Sequence, residues 1–180
     1  MVPDDQTNLF QTNRRFCQPE AENNHGILFI QEAVVSDLRW LYGLKLVNKS
    51  DQDLFPYVFY FDPSEYSIEL WYYPPSATKP PPLKADGSLE VGYGEHGNGA
   101  SIKLSVPEGM HTDSGFIKVF VSTKYVDMQP IAQPSSLHDA NPPSTYGRGA
   151  AMAFAGPVGA DLDQASWNVS TYILTATTLM

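Results

Sequence analysis

The chain has 180 residues, a formal net charge of −9, 42 % hydrophobic and 12 % aromatic residues. That length suits one domain, and the apolar content suits a packed core, which excludes a wholly disordered chain. Arg14–Arg15 is the only adjacent basic pair, which argues against nucleic acid and anionic membranes, because sequence-independent binding to phosphate depends on Lys and Arg.

Residues 1–26 are polar, with Phe10 and Phe16 as isolated anchors, and are expected to form a loosely held arm. Residues 27–180 then read as one β domain. Ile27 to Val35 is apolar and β-branched. Trp40 to Val47 places Trp40, Tyr42, Leu44 and Leu46 on one face of a strand. Asn48 to Asp53 is a polar turn. Leu54 to Phe61 is apolar on both faces, as in a strand buried on both sides. Asp62-Pro63-Ser64-Glu65 is a turn, since Asp can bond its own backbone and Pro presets φ. Tyr66 to Tyr73 follows as a strand, with Ile68, Leu70 and Tyr72 on one face and Glu69, Trp71 and Tyr73 on the other.

Pro74–Pro75 and Pro80 to Pro82 bracket a loop outside the sheet, because proline lacks the ladder donor. Leu89 to Tyr93 is a short strand, and Gly92 to Gly99 a flexible turn region. Ser101 to Val106 and Phe116 to Thr123 alternate with the period of half-buried strands. Residues 128–150 are irregular, a short helix is an option over Ala150 to Ala165, and Trp167 to Thr178 closes the chain as a strand. Short strands joined by turns predict an all-β, immunoglobulin-like or jelly-roll-like β-sandwich of about seven to nine strands with little helix.

Cys17 is the only cysteine, so no internal disulfide forms. Met1 to Gln6 lacks the basic-then-apolar pattern of a signal peptide, and no apolar run approaches the about 18–20 residues of a spanning helix. An intracellular, cytoplasmic protein is expected. Asn48-Lys49-Ser50 and Asn168-Val169-Ser170 match the glycosylation triplet, which has no meaning without secretion.

Chemistry is sparse. His25, His96, His111 and His138 lack metal-ligand spacing, and Cys17 has no strained turn around it. The Gly92 to Gly99 run lacks the Gly-Lys-Ser/Thr ending of a phosphate loop and a following helix. The pairs Asp4/Asp5, Asp51/Asp53 and Asp161/Asp163 do not sit in the twelve-residue calcium loop pattern. No metal, cofactor or catalytic group is therefore expected. Aromatics crowd residues 57–93, mostly as core. Trp71 and Tyr73, on one face, would make a stacking platform, with Tyr93 and His96 beside it as further ligand-binding candidates.

The run Leu44 to Asp62, with its Asn48-Lys49-Ser50-Asp51-Gln52-Asp53-Leu54-Phe55-Pro56 and Phe59-Tyr60-Phe61-Asp62 stretches, resembles a β-rich domain that follows caspase-like peptidase domains in mushroom-type fungi. The likeness continues through Tyr66 to Ile68, Tyr72 to Pro75, Gly92 to Gly94, Asp113 to Thr123 and Ile131 to Ser135, with a weaker echo at Arg148–Gly149 and Trp167. It spans residues 40–170; Ser170 to Met180 departs from it. The resemblance implies an accessory, non-catalytic domain and carries over no catalytic residue, since the Gln-Ala-Cys-x-Gly run of the peptidase is not present and no peptidase domain is expected ahead of residue 27. The expected function is a binding module for a protein partner in a fungal defence or cell-death setting. The alternative is a carbohydrate-binding, lectin-like protein. An enzyme assembled from loop histidines and Cys17 is a weaker option, and a homodimer through strand edges is another.

Overall fold

Alternating and doubly apolar runs can satisfy their main-chain groups only by pairing, and among the described residues they do so in ten strands. The computed structural model describes residues 9–16, 27–93, 101–135 and 165–178. The strands are β1 (Gln11–Phe16), β2 (Ile27–Val35), β3 (Leu41–Tyr42), β4 (Leu44–Val47), β5 (Phe55–Asp62), β6 (Ser67–Tyr72), β7 (Ser88–Val91), β8 (Ile102–Lys103), β9 (Thr112–Ser122) and β10 (Trp167–Thr177). A single 3-10 turn at Gln129–Ile131 accompanies them. The chain is all-β, as the alternation predicts. The short helix considered over 150–165 falls almost wholly outside the described residues.

The strands pair as one six-stranded sheet, in the order β1-β2-β10-β9-β5-β6, and two two-stranded ribbons, β3-β8 and β4-β7; a sandwich of two full sheets is not seen among the described residues. Within the large sheet only β2 and β10 run parallel, through Gln31–Val35 and Tyr172–Ala176. Two features of the strand layout go beyond the sequence reading. Gly43 divides the run from Trp40 to Val47, because a Cβ there would collide with the Tyr93 ring and lie 2.9 Å from the Val91 carbonyl oxygen. The expected polar arm also contributes β1, whose Gln11–Phe16 pairs with β2 as an outer strand of the large sheet. An outer strand satisfies its backbone on one side only, so it tolerates a polar sequence.

Both faces of β5 are buried, as its doubly apolar sequence predicts: Phe55, Pro56, Tyr57, Val58 and Phe59 are all inaccessible. On one face Val58 packs with Ala33, Val35, Ile117, Val119, Leu174 and Ala176, and the ribbons add Tyr42, Leu44, Leu46, Leu89, Val91 and Ile102. On the other, Phe55, Tyr57 and Phe59 pack with Ile68, Leu70, Phe120 and the segment carrying Tyr125, Val126, Met128 and Ile131. The turn after β5 is the expected one: Asp62 Oδ1 accepts from the backbone N–H of Ser64 at 2.8 Å and of Glu65 at 3.1 Å.

β6 departs from simple alternation. Val58 pairs with Tyr72 but its neighbour Phe59 pairs with Leu70, so Trp71 is an unpaired bulge residue. The extra residue puts Tyr72 into the same cluster that Trp71 packs on, and leaves Ile68 and Leu70 with the other. Trp71 lies flat on Tyr60, centroids 4.7 Å apart and planes 5° from parallel. Tyr60 in turn covers the bare Cα of Gly115, where any Cβ would strike its phenol. Gly115→Val should therefore destabilise the fold by about 1–3 kcal/mol through overpacking. Chemical denaturation checks this, and Tyr60→Ala in the same chain should offset part of the loss if the collision is the cause.

Candidate functional site

The bulge separates the residues expected to form a platform. Trp71 is half-buried, its face covered by Tyr60 and its Nε1 donating to Glu69 Oε2 at 3.1 Å. Tyr73 is exposed; burial, then Asp127 and last Tyr73, pushes up the phenol of Tyr125, which packs in the opposite cluster. Tyr93 lies against Gly43, where its ring fills the space a side chain would take. His96 lies outside the described residues. The structure thus parts Trp71 from Tyr73: their shared face needs unbroken alternation, and one extra residue reverses it.

The other candidates are dispersed as well. His25, His138, Cys17, Asp4/Asp5 and Asp161/Asp163 lie outside the described residues. His111 is exposed, and its carbonyl accepts from the backbone N–H of Thr178 at 3.0 Å. Asp53 pairs with Lys84 Nζ at 2.7 Å and accepts from the Ala85 N–H at 2.9 Å, which holds its carboxyl below the usual range. Burial, then the nearby Asp62, pushes the Asp113 carboxyl up. Among the described residues no three His, Cys, Asp or Glu side chains are grouped to hold a metal ion. None of the helices among the described residues is long and apolar enough to cross a membrane.

What the fold does build is a groove of about 850 Å³ beside β4. Its floor is the face of β9 and β10, with Ile117, Val119 and Val121 from one and Asn168, Ser170 and Tyr172 from the other. Its wall is the consecutive stretch Leu44 to Ser50, so an edge rather than a face of β4 borders the space. The wall is held firmly. Asn48 is 5 % exposed, and its Nδ2 donates to the carbonyls of Gln52 at 2.7 Å and Lys84 at 3.0 Å. Its Oδ1 accepts from the Ser50 N–H at 2.9 Å and the Ser50 hydroxyl at 2.7 Å. With its amide spent in this way, Asn48 offers nothing to glycosylation, triplet or not.

Trp167 lines the groove and is 72 % exposed. It also borders a smaller, mostly apolar cavity of about 250 Å³ on the other side of the sheet, with Tyr57, Phe120, Val126 and Met128. None of the groove residues was a candidate on sequence grounds. One signal was present: along one face of the last strand, Asn168 and Ser170 are polar, whereas Tyr172, Leu174 and Ala176 are apolar. That change marks where the ribbon layer stops covering the sheet.

No family model, curated protein or solved structure matches the chain.

Tyr57 anchors the segment beyond β9. Its Oη accepts from the Val126 N–H at 2.7 Å, and burial, the largest cause, pushes the hydroxyl up to about 12 from 10.0. A raised folded value means that the protonated phenol favours the fold. This stabilisation is complete below pH 10.0 and is lost as pH rises through about 12. Alkaline unfolding followed by tyrosinate absorbance should fall in that window for the native chain. Tyr57→Phe should shift it upward while costing about 1 kcal/mol at neutral pH through the lost hydrogen bond.

Proposed function

We propose that this chain is a non-catalytic binding module whose partner is a protein, and that the groove beside β4 is where the partner sits. The observation that carries this is the groove itself: about 850 Å³ beside β4, with half-buried Val121 and exposed Asn168 and Ser170 on its accessible floor, buried Ile117 and Val119 at its inner end, and an exposed Trp167 at its border. Apolar side chains ringed by polar groups, with a large aromatic at hand, are the composition of a protein-binding surface. The cytoplasmic setting, in fungal defence or cell death, rests on the likeness of Leu44 to Asp62 and Asp113 to Thr123 to the domain that follows caspase-like peptidases. That argument is one of association.

A second reading has its own observation. The amides and hydroxyls of Gln52, Asn168 and Ser170 line the groove, and the exposed Trp167 stands at its border; polar groups near an exposed aromatic residue also suit a sugar. A lectin-like protein is the alternative.

The test uses the intact protein as bait in a lysate, beside two variants of exposed groove residues, Trp167→Ala and Ser170→Arg. A protein captured by the native chain and lost with Ser170→Arg is the expected result. Captured glycoproteins released by free sugar would favour the lectin. Capture unchanged in both variants would remove the groove from the function.

A further inference from the structure

The Asn48 N–H donates to the Gly87 carbonyl at 2.9 Å, one step beyond the Val47–Ser88 pair that ends the β4–β7 register. Antiparallel partners alternate between bonded and non-bonded pairs. Leu44 and Leu46 therefore share the bonding parity of Asn48 and turn their main-chain groups toward β7. Lys45 and Val47 turn theirs the other way, into the groove that the same stretch of β4 walls. Among the described residues nothing bonds to these groups. The floor strand also has an open edge, because β2 covers β10 only from Tyr172 onward. That edge is blunted: the Asn168 side-chain oxygen accepts from the Val169 N–H at 2.7 Å. Of the two edges beside the groove, β4 keeps its donors and acceptors open.

The groove also differs in charge from the molecule around it. The chain carries a net −9, yet the groove lining includes Lys45 and Lys49 and no Asp or Glu. Glu90 stands opposite Lys45 across the ribbon, and no ion pair joins them. A second copy of the chain fits badly, since antiparallel self-pairing about Val47 would set Lys45 against the copy's Lys49, and like charges directly opposite destabilise a pair.

We propose that the groove takes an extended acidic segment of another protein, which adds as a strand to β4 and bonds to the main chain of Lys45 and Val47. Side chains alternate across a strand. The segment's inward residues are apolar and rest on the half-buried Val121, and its outward residues are carboxylates beside Lys45 and Lys49. This deepens the protein-binding reading and rests on it.

The probe is a labelled peptide of alternating Glu and Val, with alternating Lys and Val as control, read by fluorescence anisotropy and by amide exchange. The Glu–Val peptide should bind, less tightly at high salt, and should protect the amides of Lys45 and Val47. Val47→Pro removes an outward donor without touching the β7 ladder, and should weaken binding by roughly tenfold. Lys45→Glu with Lys49→Glu should reverse the preference between the two peptides. Should Val47→Pro fail to fold, the native chain with a backbone N-methylated Glu–Val peptide makes the same test, with loss of binding expected. Strand addition is overturned if Lys45 and Val47 amides are protected in the peptide-free monomer, if they become protected only on dimerisation, or if binding survives Val47→Pro. Binding that survives Val47→Pro but is lost with Ser170→Arg leaves the groove as the site and removes only strand addition. Failure of the peptide while a groove-dependent protein partner is still captured overturns the acidic segment alone. Failure of both overturns the groove reading as well.

Discussion

Strand β5 has apolar side chains on both faces, and the molecule has to bury both. Phe59 and Val58, adjacent in sequence and pointing opposite ways, are each 0 % exposed. Fully burying such side chains contributes about 1.5–3 kcal/mol apiece, so a large share of the fold's stability runs through this one strand. Each face needs a cover. The ribbons β3-β8 and β4-β7 supply one, and the segment from Tyr125 to Ile131 supplies the other. The tie from the Val126 N–H to Tyr57 and the edge-on packing of Tyr125 against Phe55 at 5.9 Å fasten that second cover to the strand it protects.

The first cover is short, and the candidate site follows from its shortness. The ribbon-side core buries Ala33, Val35, Leu174 and Ala176, whereas Asn168 and Ser170 at the start of β10 stay exposed. The groove has half-buried Val121 on its floor because β9 keeps alternating past the point where the cover stops. It has an open backbone wall because an antiparallel ribbon satisfies only every second residue on each of its strands. One outer edge of the large sheet is treated differently. Ile68 on β6 exchanges both backbone bonds with Gln133, at 2.8 and 2.9 Å, so part of that edge is closed by the chain itself. Among the described residues β6 is partly covered, β10 blunted and the outward groups of β4 unbonded.

Much of the fold was legible in the residues. The alternation of Ile102 and Leu104, and of Ile117, Val119 and Val121, reads directly as buried positions, and all but the half-buried Val121 are buried. Asp62 and Asn48 announce their turns because their side chains bond their own backbone. The platform at Trp71 and Tyr73 was not legible, since a bulge depends on the partner strand: nothing local to β6 reveals that Val58 and Phe59 take Tyr72 and Leu70. Gly115 gave no sign of its role either, because its neighbour in space, Tyr60, is remote in sequence.

The sequence by itself determined that this chain is all-β, that β5 is a doubly buried strand, and where most of the strands and turns fall. These follow from side-chain period and turn chemistry, which are local properties of the residues. Only the tertiary structure decided that Gln11–Phe16 joins the sheet, that one bulge parts Trp71 from Tyr73, and that among the described residues one edge of β4 borders a groove without a bonding partner. Those depend on which strand lies beside which and in what register. Every residue but proline carries the same backbone donor and acceptor, so the direction in which they point is set by the neighbour and leaves no mark in the sequence.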